Sequence, residues 1–161
     1  MWGVMVLSYV LMGISFVSII ISAFFAYFES YMPGNSQILI ALYSSIIYMF
    51  TETLILFYFI ITGKKVKEII QINNLDIIKL YKPILDMKMK LFPHIMVNMI
   101  IIGITFILYG AVDNNIISHF AHSIVYVLGI THFSFLIILQ HRCFIENTEL
   151  VILVHDLVSD S

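Results

Sequence analysis

The chain has 161 residues, of which 61% are hydrophobic and only 11% are charged, and its formal net charge is −2. Water-soluble domains carry about 25% charged residues, so this composition excludes an ordinary soluble protein. The charge balance gives no sign of a nucleic-acid partner, because the basic residues stand beside apolar segments. The single cysteine, Cys143, excludes an intramolecular disulfide.

Four apolar segments are long enough to cross a bilayer, whose hydrocarbon core takes about 20 residues of α-helix. They cover approximately residues 4–28, 37–62, 93–109 and 116–140. The chain outside them is too short for a separate soluble domain. Residues 1–161 are therefore predicted to form a single all-α, four-span integral membrane domain.

Turn and interface signals separate the spans. Tyr31 follows the aromatic end of the first span, and Pro33-Gly34 comes next. Aromatic side chains favour the water–lipid interface, and a Pro-Gly pair favours a turn. In the third span, Pro93 suits the first helical turn, and Gly110 suits the C-terminal stop.

The basic residues all lie outside the four spans. Arg142 follows the fourth span, and the lysines crowd between the second and third spans, at Lys64, Lys65, Lys67, Lys79, Lys82, Lys88 and Lys90. Basic residues beside membrane spans stay in the cytoplasm, which predicts an up-down bundle with both termini cytoplasmic. A prokaryotic plasma membrane fits this pattern. The lysines are also candidates for binding membrane lipids or a partner protein.

Residues 63–92 repeat apolar residues at helical spacing, with lysines between them. Asn73-Asn74 and Pro83 predict breaks, so this segment is predicted to be a cytoplasmic amphipathic helical hairpin. It would lie on lipid headgroups or beneath the bundle. Residues 141–161 are predicted to form a helical tail, whose apolar side needs cover from the hairpin or from a partner.

Small and polar residues mark the packed faces of membrane helices, because lipid supplies no hydrophobic drive between helices. Each span carries one such stripe: Ser8, Ser15 and Ser22; Ala41, Ser45, Tyr48 and Glu52; His94, Asn98 and Thr105; and His119, His122, Tyr126, Gly129, His132 and Gln140. These stripes are predicted to converge inside the bundle. Thr131 is the polar exception on the lipid face of the fourth span, and its hydroxyl is predicted to bond back to its own helix.

Glu52 is the only formal charge well inside a predicted span. An acidic side chain in mid-membrane costs about 2.5–3.5 kcal/mol, so Glu52 needs polar neighbours. The helical rise places Asn98 and His132 at comparable depths, which predicts a buried cluster of the three. Such a cluster serves proton transfer, quinone binding or metal binding. The structural alternative is a protonated Glu52 that bonds to a neighbouring helix.

The second half of the chain contains all the histidines, and five of them are metal or haem candidates: His94, His119, His122, His132 and His141. His119 and His122 beside Asp113 form a candidate metal site, since imidazole suits zinc, copper and iron. His94 opposite His132 or His141 is a candidate pair of axial ligands for a b-type haem. The alternative is that these histidines are interfacial and hydrated.

The sequence carries no glycine-rich phosphate loop, no nucleophile with a base in register and no HExxH motif, so catalysis by this chain alone is not predicted. The preferred hypothesis is an accessory subunit of a larger complex, with other membrane subunits as partners. One alternative is an electron-transfer subunit that uses haem, a metal ion or a quinone at His94 and His132, with Glu52 as a further candidate. Another is a small proton-coupled transporter built on Glu52.

Overall fold

The computed structural model describes residues 2–27, 34–73, 75–114 and 116–159. These residues form four helices, α1 (Trp2–Tyr27), α2 (Gly34–Ile72), α3 (Ile77–Asp113) and α4 (His119–Ser159). Each helix contains a segment long and apolar enough to cross a membrane: Gly3–Phe25, Ile38–Ile72, Ile78–Val112 and His119–Ser159. The prediction of an all-helical bundle with four candidate membrane spans is confirmed.

Contacts between α1 and α2 run in opposed chain directions. Ser15 Oγ in α1 lies 2.8 Å from Thr51 Oγ1 in α2. Further along α1, the carbonyl of Ser18 accepts a hydrogen bond from Ser44, which comes earlier in α2. The other principal contacts join α2 to α3, α3 to α4 and α1 to α4, so the described helices form one bundle.

Aromatic side chains fill the middle of this bundle. Phe133 in α4 is 0% exposed. Its ring centroid lies 4.9 Å from that of Tyr48 in α2 and 5.9 Å from that of Phe16 in α1. The opposite side of α4 has the exposed apolar surface that was predicted for lipid, for example at Phe120 (75% exposed) and Val127 (57% exposed).

The helices α2 and α3 continue without a break past their predicted spans. α2 ends at Ile72 and α3 begins at Ile77, so Pro83 and Pro93 both lie inside α3. The predicted break at Pro83 and the predicted helix start at Pro93 are therefore wrong. Each proline removes one backbone hydrogen bond, but buried residues such as Ile84 and Leu91 fix the helix by packing.

Two further helix ends differ from prediction. α3 continues past Gly110 and ends at Asp113, and the backbone N–H of Asn114 caps it by donating to the Gly110 carbonyl. α4 begins at His119, slightly later than residue 116. Local signals locate such ends only approximately, because a helix frays or extends by a turn according to its packing. Phe28, Tyr31 and Pro33, which carry the predicted first turn, lie outside the described residues.

The turn between α2 and α3 falls at Asn73, as predicted. Asp76 is the N-cap of the next helix, and its carboxylate accepts hydrogen bonds from the backbone N–H groups of Ile78 and Lys79 at 3.0 and 3.2 Å. This N-cap supplies the local reason why α3 begins here rather than at Pro93. Asn74, the second residue of the predicted break, lies outside the described residues.

The continued parts of α2, α3 and α4 pack together around a second buried cluster, which contains Val66, Ile70, Leu80, Ile84 and Val154. The apolar side of the tail is therefore covered by α2 and α3 at Leu150, Val151 and Val154, whereas Leu157 is 40% exposed. We call residues 62–72, 77–90 and 144–159 the three-helix extension. α1 begins beside it, because Thr148 Oγ1 contacts Met5 Sδ at 3.7 Å.

Candidate functional site

The predicted polar stripes mostly face the bundle interior. Ser15, Glu52, Asn98 and Gln140 are 0% exposed, although all four side chains are polar. Thr131 is exposed and donates to the carbonyl of Val127 in its own helix, as predicted. Since lipid cannot satisfy polar groups, the interior contacts of these side chains decide what the bundle can do.

One row of hydrogen bonds joins three helices, and we call it the polar chain (Tyr48, Asn98, His132 and His94). Asn98 Nδ2 donates to Tyr48 Oη at 2.7 Å. Asn98 Oδ1 lies 3.0 Å from His132 Nδ1, and His132 Nε2 lies 3.4 Å from His94 Nδ1. One set of neutral tautomers satisfies these contacts: each imidazole carries its proton on Nδ1, and His132 Nε2 accepts from His94.

Glu52 lies one helical turn after Tyr48, but its hydrogen bond goes to a different partner. Gln140 Nε2 in α4 donates to Glu52 Oε2 at 2.6 Å. The other carboxyl oxygen, Glu52 Oε1, and the amide oxygen, Gln140 Oε1, have no hydrogen-bond partner among the described residues. The structure thus joins Asn98 to His132, whereas Glu52 pairs with Gln140.

Tyr48 and Gln140 were absent from the predicted cluster, although both belonged to the predicted polar stripes. Residue spacing therefore indicated that Tyr48 and Gln140 face inward. It did not reveal which side chains meet, because Gln140 and His132 share a face of α4 and differ by only about two turns. The choice depends on how far α2 and α4 are shifted along each other.

The His94–His132 pair does not fit a haem between its two rings. The ring nitrogens are in hydrogen-bond contact, and the ring centroids are 5.6 Å apart. A haem with two axial ligands lies between them, so the two imidazole rings would have to move apart to admit the porphyrin. His141 faces another partner, since its Nδ1 lies 2.8 Å from the Tyr9 hydroxyl.

The predicted metal site at the start of α4 is brought together only in part. His122 is buried between the rings of Tyr109 and Tyr126, whereas His119 is exposed. The side chain of Asp113 lies outside the described residues. Among the residues that the structure describes, no group of three or more His, Cys, Asp or Glu side chains could hold a metal ion.

A small cavity beside His122 bears on the quinone hypothesis. Ser22, Ser44, Thr105 and Tyr126 contribute to its lining, and it offers about 20 Å³ to water-sized molecules. This volume holds about one water molecule, whereas sites for organic cofactors enclose about 300–1,000 Å³. The cavity suits hydration of the buried imidazole rather than a quinone ring.

The lysines singled out in the sequence all lie on the three-helix extension. Most are exposed, at Lys64, Lys65, Lys67, Lys79, Lys82 and Lys90. Lys88 is half-buried, with its side chain against Gly63, and the Lys67 ammonium lies 5.7 Å from the centroid of the Tyr81 ring. The extension therefore presents a largely cationic outer surface on α2 and α3.

The polar chain predicts a measurable coupling between Tyr48 and Asn98. Interhelical hydrogen bonds in membranes contribute about 0.6 kcal/mol on average and up to about 1.7 kcal/mol. We expect Asn98→Leu, which removes two of them, to lower the free energy of unfolding by about 1–2 kcal/mol. Unfolding by sodium dodecyl sulfate in bicelles would measure this loss.

The double variant with Tyr48→Phe should lose less than the sum of the two single losses, because both changes break the same bond. Thr131→Val provides the control, since its hydroxyl bonds only to its own helix, and we expect it to change stability little. Strict additivity of Tyr48→Phe and Asn98→Leu would contradict the contact.

Comparison of the chain with known protein families, with curated proteins and with solved structures finds no match. The described geometry is therefore the starting point for assigning a function. Its main features are the polar chain, the Glu52–Gln140 pair and the three-helix extension.

Proposed function

We propose that this chain is an accessory subunit of a larger multi-subunit membrane complex, and that it contributes a membrane anchor and a docking surface. The observation that carries the proposal is a groove between α3 and α4 in the three-helix extension. Two adjoining cavities of about 470 and 400 Å³ form it. Its apolar floor and charged rims consist of Ile78, Pro83, Met87, Leu150 and Leu153, with Lys79, Lys82, Lys90, Asp86, Glu146 and Glu149.

In the cytoplasmic position proposed for the three-helix extension, the floor of the groove exposes apolar side chains to water. Ile78 is 76% exposed and Leu153 is 47% exposed, and both stand beside charged residues that favour water. Contiguous apolar surface in water marks an interaction site more often than an isolated exposed residue does. A partner that buries this floor would remove that surface from water.

Charge on the two rims favours one kind of partner. The α3 rim is mainly basic through Lys79 and Lys82, and the α4 rim is acidic through Glu146 and Glu149. An amphipathic helix fits between them when its apolar stripe faces the floor. Acidic residues along one edge of that helix would face the lysines, and basic residues along the other edge would face the glutamates.

The orientation that accompanies this proposal is an up-down course across a prokaryotic plasma membrane, with the extension and both termini in the cytoplasm. The lysines cluster on the extension, and α1 begins beside it through the Met5–Thr148 contact. Basic residues remain on the cytoplasmic side of spans. The partner helix would then belong to a cytoplasmic protein or to the cytoplasmic part of another subunit.

Purification in mild detergent tests the proposal when groove variants are compared. We expect stoichiometric partners to co-purify with the natural chain and to be lost with Leu153→Glu, because a carboxylate in the apolar floor opposes burial. We expect the affinity for the partner to fall by about tenfold or more, which corresponds to a loss of at least about 1.4 kcal/mol of binding free energy. Ile152→Glu is the matched control, because Ile152 is 50% exposed on the same helix but does not line the groove.

Charge-reversal variants distinguish specific binding in the groove from nonspecific electrostatic binding. Lys79→Glu with Lys82→Glu should weaken the partner, whereas Lys65→Glu, on exposed α2 surface outside the groove, should not. Equal effects at the two places would argue for a diffuse contact with lipid headgroups. A monodisperse chain that brings down no stoichiometric partner would contradict the subunit function.

A further inference from the structure

The Glu52–Gln140 pair contains two acceptors and lacks one donor. Both side chains are fully buried, and Gln140 Nε2 donates to Glu52 Oε2 at 2.6 Å. The remaining oxygen of each group, Oε1 in both residues, has no partner among the described residues. A buried polar atom without a partner costs about 1–3 kcal/mol, so two of them on one pair call for a physical explanation.

A single proton removes both defects. A proton bound to Glu52 Oε1 makes this oxygen a hydrogen-bond donor. The acceptor is then the amide oxygen of Gln140, whose amide nitrogen already donates to the other carboxyl oxygen of Glu52. A carboxylic acid and a primary amide can then share two parallel hydrogen bonds. We propose that Glu52 is a reversible proton-binding site, at which the bound proton closes a two-bond acid–amide pair between α2 and α4.

The surroundings favour a proton over a metal cation. Magnesium and calcium take about 6–8 oxygen ligands, whereas Glu52 and Gln140 offer two unpartnered oxygens. Arg142 follows Gln140 by two residues but is exposed, and α2 has no basic residue before Lys64. A charged Glu52 would therefore have no buried ion-pair partner from these stretches.

Other titratable or charged side chains on the packed helices include Tyr9 on α1, Tyr48 and Tyr58 on α2, Lys88 and His94 on α3, and His132, His141, Arg142 and Cys143 on α4. Tyr48 lies one helical turn before Glu52 and is also the end of the polar chain. The acid–amide pair and the polar chain are therefore neighbours along α2. The proton-binding proposal does not depend on the proposed docking function.

The pH dependence of stability provides the first test. The well-paired state carries the proton, so raising the pH removes it and leaves a buried carboxylate beside an unpartnered amide oxygen. We expect the thermal stability of the natural chain in nanodiscs to fall as the pH rises. Glu52→Gln replaces the acid by an amide that donates and accepts in the same positions, so the fall in stability with rising pH should disappear in this variant.

Glu68→Gln is the matched control, because this carboxylate is exposed on the three-helix extension and does not line the groove. It should keep the pH dependence of the natural chain. The proposal is wrong if the natural chain and Glu52→Gln show the same pH dependence, or if the natural chain shows none.

Chemical labelling tests the site in the natural chain, without relying on a variant that has to fold. Dicyclohexylcarbodiimide, a membrane-soluble reagent, adds to a protonated carboxyl group in apolar surroundings and rearranges to a stable N-acylurea with no leaving group. Peptide mapping by mass spectrometry should find the adduct on Glu52, with a yield that decreases as the pH rises. An adduct confined to other carboxyl groups, the absence of an adduct at every pH, or a yield at Glu52 that does not vary with pH would each overturn the proposal.

Discussion

Replacing Phe133 by alanine is expected to lower the free energy of unfolding by about 3 kcal/mol, because Phe→Ala in packed cores costs about 3–5 kcal/mol. The lower end of that range applies, since lipid tails solvate an apolar ring much as the core does. The ring is fully buried and contacts the rings of Tyr48 and Phe16, so its removal leaves a cavity where three helices meet. Unfolding by sodium dodecyl sulfate in bicelles would give the value.

Phe50→Ala is the control for this prediction. Phe50 is 59% exposed on the outside of α2, so truncating it exchanges one lipid contact for another and should change stability by less than about 0.5 kcal/mol. A similar loss for Phe50→Ala and Phe133→Ala would mean that general loss of apolar area, rather than interior packing, stabilises the bundle. It would also contradict the observed position of Phe133.

The contrast between these phenylalanines explains why the buried faces could be predicted from sequence. In a membrane both rings are apolar, so hydrophobicity alone does not separate them. The small and polar residues do: Ser8, Ser15 and Ser22 recur at helical spacing and are all buried. Because lipid cannot hydrogen-bond with such side chains, their periodicity identifies the inner face directly.

The helix ends could not be predicted in the same way, since local and long-range effects oppose each other there. Pro83 and Pro93 are local breaking signals, yet α3 passes through both. Packing around Ile84 in the three-helix extension and the cap at Asp76 favour the longer helix. The cap at Asp76 is a local signal, but the packing contribution cannot be read locally, because the cluster around Ile84 needs Val154, which lies 70 residues further along the chain.

In the candidate site too, the residue pattern predicted which side chains face inward, but it did not predict every pair of side chains that are in contact. Depth counting along two helices suggested that Asn98 and His132 could meet, and their side chains lie 3.0 Å apart. It did not select Gln140 as the partner of Glu52. Long flexible side chains such as these reach across about a turn of helix, so a small shift of α4 along α2 decides between neighbouring polar residues on one face.

Close approach of helices is the counterpart of these polar contacts, and Gly129 marks it. A Cβ atom at this position would lie 3.0 Å from Ile102 Cδ1 and 3.2 Å from Ile101 Cγ2. Both distances are shorter than an ordinary contact between carbon atoms, which is about 3.5–4.0 Å. Glycine therefore lets the backbone of α4 approach α3, as small residues do at membrane helix interfaces.

Gly129→Leu is accordingly expected to lower the free energy of unfolding by about 2 kcal/mol, since overpacking of a tight interface costs about 1–3 kcal/mol. Gly13→Leu is the matched control, because a Cβ at Gly13 meets nothing within 4 Å. Leucine is also the better helix former, by about 0.8 kcal/mol or less, so Gly13→Leu should leave stability unchanged or raise it slightly. Unfolding in bicelles should thus show a loss of stability for Gly129→Leu and no loss for Gly13→Leu. If both substitutions stabilised the protein equally, α3 and α4 could not be as close at Gly129 as the structure has them.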